Sequence, residues 1–357
     1  MSTDSTRFMR ALRRLPVDQT PVWFMRQAGR VLPEYRAIRQ DRTLLEICRW
    51  PDLCAEVTLQ PLRRFNLDAA ILFADIMHPL IGAGVDLDIV DGAGPIIRAP
   101  LRSHQDLAAL QPLVPEESLA FVFDTIRILK SDLGDRVPLI GFSGAPFTLA
   151  SYLIEGKASR DFVHTKAMMY SAPDLWHALM QRLTEMVIAY LRAQRAAGVD
   201  ALQLFDSWVG CLSPRDYQRF VRPYLRRIFA ALAPSGAPVI HFGVNTATLL
   251  HLMKDEGADA IGVDWRIPLD DAWSIIGDDL AIQGNLDPAV LFGTPEFIAR
   301  EVGDVLARAG GRPGHVFNLG HGLLPTTPLD GVERAVDCVR AHSLAGRGVL
   351  EFVAART

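Results

Sequence analysis

Eight short runs of nearly continuous apolar residues punctuate the chain: PVWFMR (21–26), DAAILF (68–73), PLIGFS (138–143), ALQLFD (201–206), PVIHFG (238–243), AIGVDW (260–265), LAIQGN (280–285) and HVFNLG (315–320). Their length and their content of β-branched and apolar residues predict strands. The absence of polar alternation is what parallel strands covered on both faces require. None is joined to the next by a hairpin-length turn, and helical patterns or longer irregular pieces lie between them. The clearest helix spans 173–197, where Leu175, Leu179, Leu183, Met186, Val187, Tyr190 and Leu191 keep helical spacing, with Pro173 near the start and Gly198 just beyond the end. A second is expected over TATLLHLMKDEG (246–257). Eight strands alternating with helices predict an α/β fold, a (β/α)8 TIM barrel, although a doubly wound open sheet would give a similar local pattern. Between the second and third strands, VDLDIVDGAGPIIRAP (85–100) alternates on either side of a DGAG turn, which predicts a hairpin insertion followed by a helix near 116–133.

Length and composition narrow this picture. At 357 residues the chain exceeds the roughly 250–300 at which one core usually stops growing, so it is one large architecture or two ordinary domains. No linker or low-complexity tract divides it, and 1–357 reads as a single barrel domain with a short N-terminal helical extension. A 49% hydrophobic and 22% charged composition excludes intrinsic disorder. The net charge of −4 gives no basic field to attract nucleic acid, so any anion binding is local. Arg10, Arg13 and Arg14 interrupt the first apolar run, so no signal peptide is expected, and no stretch approaches the roughly 20 apolar residues of a membrane span. Cys48, Cys54, Cys211 and Cys338 have neither redox nor zinc-knuckle spacing, which fits a reduced, cytoplasmic protein.

In a barrel of this type the chemistry gathers where strands end. The expected exits read Arg26-Gln27-Ala28-Gly29-Arg30, Asp75, Ser143-Gly144-Ala145-Pro146, Asp206-Ser207, His241, Asp264-Trp265, Asn285-Leu286-Asp287 and Gly320-His321-Gly322. Two arginines four apart, with carboxylates and histidines at other exits, suit a substrate that bears several carboxylates and some N–H donors. Taken singly, each has a plainer reading: an Asp or His at a strand end is commonly a cap, and an arginine commonly forms an ordinary ion pair. No H-E-x-x-H, Cys-x-x-Cys or glycine-rich phosphate motif is present.

Two long segments go further. PVWFMRQAGRVLPEYR (21–36) and GFSGAPFTLASYLIEG (141–156) resemble the signature segments of the uroporphyrinogen decarboxylase family. The likeness continues through VTLQPLRRFNLDAAILFADI (57–76), GVDALQLFDSWVG (198–210), IGVDW (261–265), IQGNLDP (282–288) and NLGHGLLP (318–325). The resemblance implies a cytoplasmic homodimer that removes the four acetate carboxyl groups of uroporphyrinogen III to give coproporphyrinogen III in haem biosynthesis. It implies no metal, prosthetic group or organic cofactor, and no nucleic-acid or membrane partner. By the same resemblance Arg26 and Arg30 meet substrate carboxylates, and Gln27, Ala28 and Gly29 form the wall between them. Asp75 sits under the tetrapyrrole and accepts its pyrrole N–H groups, while Tyr152, Ser207 and His321 complete the binding positions. Asp75 and Arg26 are the expected catalytic groups. Two positions depart from pattern. His78, three residues after Asp75, has no counterpart in the resemblance and reads as a loop histidine; and Gly243 stands where more distant zinc-dependent methyltransferases bring a cysteine two residues after the histidine matched by His241.

Overall fold

The structure, a computed structural model, describes residues 3–90, 92 and 94–354, and side chains through residue 342. Two of the four residues of the expected DGAG turn, 91 and 93, lie outside it, as do 1, 2 and 355–357 of the expected single domain. In chain order the strands are β1 (Ala70–Ile71), β2 (Leu87–Val90), β3 (Gly94–Ile97), β4 (Leu139–Gly144), β5 (Ala201–Asp206), β6 (Val239–Gly243), β7 (Ala260–Gly262), β8 (Ala281–Leu286) and β9 (His315–Leu319). Seven of them form one parallel sheet in the order β1-β4-β5-β6-β7-β8-β9. β2 and β3 form a separate antiparallel pair between β1 and β4.

The expected first strand is corrected. Residues 21–26 form no strand, only a parallel bridge between Val22 and Phe317. The segment still lies between the two edges of the sheet, because Phe317 N–H donates to Pro21 O at 2.8 Å and Asp68 N–H donates to Val22 O at 2.9 Å. A longer ladder is prevented locally. Pro21 has no N–H to donate, the Phe24 N–H goes to the Gln27 side chain, and the Met25 N–H goes to that of Asn318. β1 is short for a similar reason, since the Phe73 N–H is taken by Thr58 Oγ1 and its carbonyl by the Cys54 thiol.

Three junctions share one device. Asp68, Asp200 and Asp259 each precede an Ala and the residues of a strand, and each pairs reciprocally with a residue opening the neighbouring segment. The carboxylates accept the backbone N–H of Val22, Leu139 and Val239 at 2.7, 2.8 and 2.8 Å. The aspartate N–H groups return a hydrogen bond to the carbonyls of those same residues at 2.9, 2.8 and 2.9 Å. Each first N–H, which would otherwise be orphaned where the ladder begins, is thereby satisfied and the register fixed.

The helical layer follows the sequence with two corrections. The helix Pro173–Ala197 has the expected bounds, with Gly198 at φ 123° ending it, and it packs on Ala120–Leu133, Pro146–Glu155 and Arg222–Leu232. The segment expected to be helical over 246–257 holds only the helix Leu250–Met253. Asn245 is held at φ 59° with its N–H on Asp264, so the chain first completes a turn, and Glu256 is drawn inward at the other end. The helix expected near 116–133 breaks at Leu119 into Pro115–Ser118 and Ala120–Leu133. Arg7–Leu12 is helical at the N-terminus, capped by Thr6. Among the described residues no helix is long and apolar enough to cross a membrane.

The reciprocal pairs generate a test. Asp200→Ala strips the partner from Leu139 N–H and from Lys130, whose ammonium lies 2.7 Å from the carboxylate. A loss of about 1–3 kcal/mol in unfolding free energy is expected in chemical denaturation, the cost of leaving such groups unpaired. A loss below about 0.5 kcal/mol would show that the junction is held by the strands alone.

Candidate active site

A cavity of about 430 Å³ opens at the carboxyl ends of the parallel strands. Arg26, Ala28, Gly29, Arg30, Asp75, Tyr152, Ser207 and His321 all line it. The sequence separates these residues by up to 295 positions (321 − 26), and the fold brings them to one cavity. Gln27 is the correction: it does not line the cavity. It is fully buried, its Oε1 accepting from Phe24 N–H and its Nε2 donating to Ala69 O at 3.0 Å each, so its amide shapes the loop and presents nothing to the cavity.

That loop is tightly constrained. Arg26 has φ 62°, a left-handed conformation that a side chain adopts at some cost and keeps only where its surroundings dictate it. The surroundings here are glycine: a Cβ at Gly322 would stand 2.5 Å from Arg26 Cδ, so only a bare backbone lets the Arg26 stem pass. Leu323 N–H donates to Met25 O at 2.9 Å and ties the two exits together. Solvent reaches Arg26 along the open cavity while protein surrounds its other sides. That enclosure pulls its pKa below the ordinary value, Asp75 opposes the shift and Arg30 adds to it.

Asp75 sits just beyond β1, its Oδ1 accepting Met77 N–H at 3.0 Å. Burial raises its pKa, while the Met77 N–H, His78 and Arg26 each favour the ionised form. Tyr152, on the helix Pro146–Glu155, is pushed up to about 12 by burial and by Asp75, so its phenol stays protonated. His321 is drawn down to about 4 by burial and by Arg26. Its Nδ1 accepts Gly322 N–H at 2.8 Å, which leaves Nε2–H as the donor of a neutral ring.

The sequence reading passed over the apolar part of the site. Phe142, Phe205 and Phe242 line the cavity from β4, β5 and β6, edge to face at 5.4 and 5.8 Å between centroids. A signal was present, since each is the fifth residue of its apolar run in PLIGFS, ALQLFD and PVIHFG. Tyr35 and the β2–β3 hairpin, through Ile89, Val90 and Pro95, supply further wall.

Several polar exit residues do not face the cavity. Asp264 accepts Asn245 N–H and pairs with Arg266, Asn285 Nδ2 donates to Asp264 O and Ile267 O, and Asp287 caps a short 3₁₀ turn. Alternation along β5 and β6 sends Asp206 and His241 to the opposite face from Phe205 and Phe242, into the helical layer. There His241 Nδ1 lies 3.3 Å from Glu256 and Nε2 3.8 Å from Asp206, all fully or nearly fully buried. Burial alone would lower the pKa of His241, but Asp206 and Glu256 outweigh it and raise it to about 9.

A parallel α/β sheet with a cavity lined by charged and aromatic residues at the strand ends is the arrangement of α/β enzymes. Comparison with known proteins narrows the class. Residues 3–342 match the model of the family described as uroporphyrinogen decarboxylase (URO-D). Uroporphyrinogen decarboxylase of Streptomyces avermitilis is 53% identical over 342 residues, covering 96% of each chain. That of Thermobifida fusca is 55% identical over 336 residues, covering 94% of this chain and 92% of its own. The chain belongs to the uroporphyrinogen decarboxylase family. Among solved structures, a methyltransferase from Methanosarcina mazei superposes with a TM-score of 0.80 over 96% of this chain and 99% of its own at 22% identity, a likeness of fold.

The pKa values of the two histidines are displaced in opposite directions. The folded pKa of His241 lies above its unfolded value of about 6.5, so its stabilisation is complete below that pH and fades as pH rises through about 9. His321 has a lowered folded pKa, so its contribution holds above about 6.5 and is lost as pH falls toward 4. ¹⁵N imidazole shifts at pH 7 should show one charged and one neutral ring; a midpoint near 6.5 for either would remove its assigned environment.

Proposed function

We propose that this chain decarboxylates the four acetate side chains of uroporphyrinogen III, giving coproporphyrinogen III and CO₂ in haem biosynthesis, with no metal, prosthetic group or organic cofactor. The observation that carries this reading is the convergence of Arg26, Arg30, Asp75, Tyr152, Ser207 and His321 on one cavity in a member of this family. Each turnover converts R–CH₂–COO⁻ and one proton into R–CH₃ and CO₂. Protonation of a pyrrole carbon beside the acetate makes the ring an electron sink. The C–C bond electrons then flow into it as CO₂ leaves, a second proton completes the methyl group, and loss of the ring proton restores the pyrrole.

In this reading the Asp75 carboxylate faces the pyrrole N–H groups and stabilises the cationic ring, an interaction far stronger in an enclosed site than in water. Arg26 and Arg30 hold acetates and propionates by charge-assisted hydrogen bonds. Tyr152, Ser207 and His321 serve as neutral hydrogen-bonding groups. With pKa values of about 12 and about 4, Tyr152 and His321 are poorly matched to donate a proton at neutral pH.

The architecture is read as one (β/α)8 domain over 1–357, with residues 21–24 as the stave that closes the ring and the β2–β3 hairpin as an insertion. The Val22–Asp68 pair, which repeats the form found between β4 and β5 and between β6 and β7, supports that closure. The family resemblance supports a cytoplasmic homodimer that engages neither nucleic acid nor membrane.

Anaerobic incubation with uroporphyrinogen III in the presence of EDTA, followed by chromatography of the oxidised products, tests the reaction. Stepwise loss of four carboxyls is expected, and an unchanged substrate or a zinc-restored activity would sink the proposal. Asp75→Asn keeps size and an acceptor but removes the charge, so kcat should fall about 100- to 1,000-fold. Wild-type kcat in a folded Asp75→Asn variant would make Asp75 a binding or structural residue.

A further inference from the structure

His78 is the motif residue that the family resemblance leaves without a part, and it is not the exposed loop histidine its sequence position suggests. Its relative exposure is 1%, and it opens the helix His78–Gly82 directly after the Asp75 turn. Its ring nitrogen Nδ1 lies 3.1 Å from the backbone nitrogen of Asp75 and 2.7 Å from the carbonyl oxygen of the same residue. His78 N–H also donates to Asp75 O at 3.3 Å. The ring packs tilted against Phe121 at 5.8 Å between centroids, and the buried Nε2 has no hydrogen-bond partner. His78 does not line the cavity.

A ring that served only to fill space here would be better as a hydrocarbon, because an unpartnered buried Nε2 costs desolvation without return. The polar edge turned on Asp75 is what the imidazole adds. It closes a turn of capping-box form, in which the first residue's side chain caps a following N–H, Met77 in this case, and the residue three later reaches back to the first residue's peptide. From the other side β4 holds the same turn, Gly144 N–H donating to Ile76 O at 3.3 Å. Asp75 is therefore clamped between two anchors, and only one of them is a side chain.

We propose that His78 is a positioning residue for Asp75, its Nδ1 gripping the Asp75 peptide so that the carboxylate is presented to the cavity at a fixed height and angle. The inference rests on the catalytic role proposed for Asp75. Either tautomer serves, since Nδ1 meets the Asp75 N–H as an acceptor or the Asp75 carbonyl as a donor.

Two variants separate grip from packing. His78→Asn places an amide atom where Nδ1 stood and can offer either a donor or an acceptor, but it abandons Phe121. His78→Phe keeps the ring and drops the grip. Expected are near-wild-type kcat with a lowered Tm for His78→Asn, and an unchanged or raised Tm with kcat reduced roughly ten- to a hundredfold for His78→Phe, the scale of a misplaced catalytic group. KM should change less than kcat. Deuterium exchange across residues 73–80 gives a readout that needs no turnover: protected in wild type and His78→Asn, fast in His78→Phe. If the wild type proves inactive on uroporphyrinogen but the exchange pattern holds, the functional reading fails and the clamp stands. If His78→Phe keeps both kcat and protection, or His78→Asn loses both, the ring only packs and the proposal is overturned.

Discussion

A parallel sheet is built from strands that arrive separately, each delivered by a helix or loop, and nothing in the ladder itself fixes where it begins. The reciprocal aspartate pairs answer that problem. Each joins two segments at their first residues through a two-bond ring, so that one strand cannot slide against the next without breaking both bonds. The depth of every cavity group depends on that register, because a slip of one residue would turn Phe205 and Phe242 outward and bring Asp206 and His241 inward. A slip would place the buried carboxylate and imidazole cluster where the aromatic surface now lies.

The division of labour across the sheet follows from the same alternation. One face carries the aromatic surface and, below it, a buried amide chain in which Trp23 Nε1 donates to Gln283 Oε1 and Gln283 Nε2 donates to Gln203 Oε1, both at 3.1 Å. The other face carries a buried charged group: Thr148 donates to Asp206, and Tyr217 donates to Glu256 beside His241. Polar residues at the strand ends thus fall into two populations. Arg26, Asp75, Ser207 and His321, on the loops, reach the cavity, while Asp206 and His241, on the strands, face the helices.

Much of this was legible beforehand. Seven apolar runs contain the strands of the parallel sheet apart from the last residue of β4 and of β8, and the helix Pro173–Ala197 was readable to the residue because proline, periodicity and glycine agree there. The run 21–26 misled because its composition suits a strand while Pro21 and the left-handed Arg26 deny it a ladder, facts of backbone conformation that an apolar pattern does not carry. The helix expected over 246–257 failed because tertiary bonds to Asp264, Tyr217 and His241 outbid a modest local periodicity. In the site, the charged residues singled out by motif likeness line one cavity, but Gln27 does not, since its neighbours in sequence face the cavity while its own amide is taken by backbone. The Asp-Ala dipeptides at 68, 200 and 259 were visible in the sequence, and their meaning emerged only once the first N–H of each neighbouring segment was in place.

The aromatic surface has one more implication. Three phenyl rings edge to face offer neither donors nor acceptors. A large ring molecule lying on such a floor meets no directional contact that would distinguish one of its quarters from another. All angular preference must come from the charged rim. On the proposed reaction, that makes the site a turntable: a partly processed molecule can be reseated by rotation, each remaining acetate presented in turn to the same fixed carboxylate and arginines.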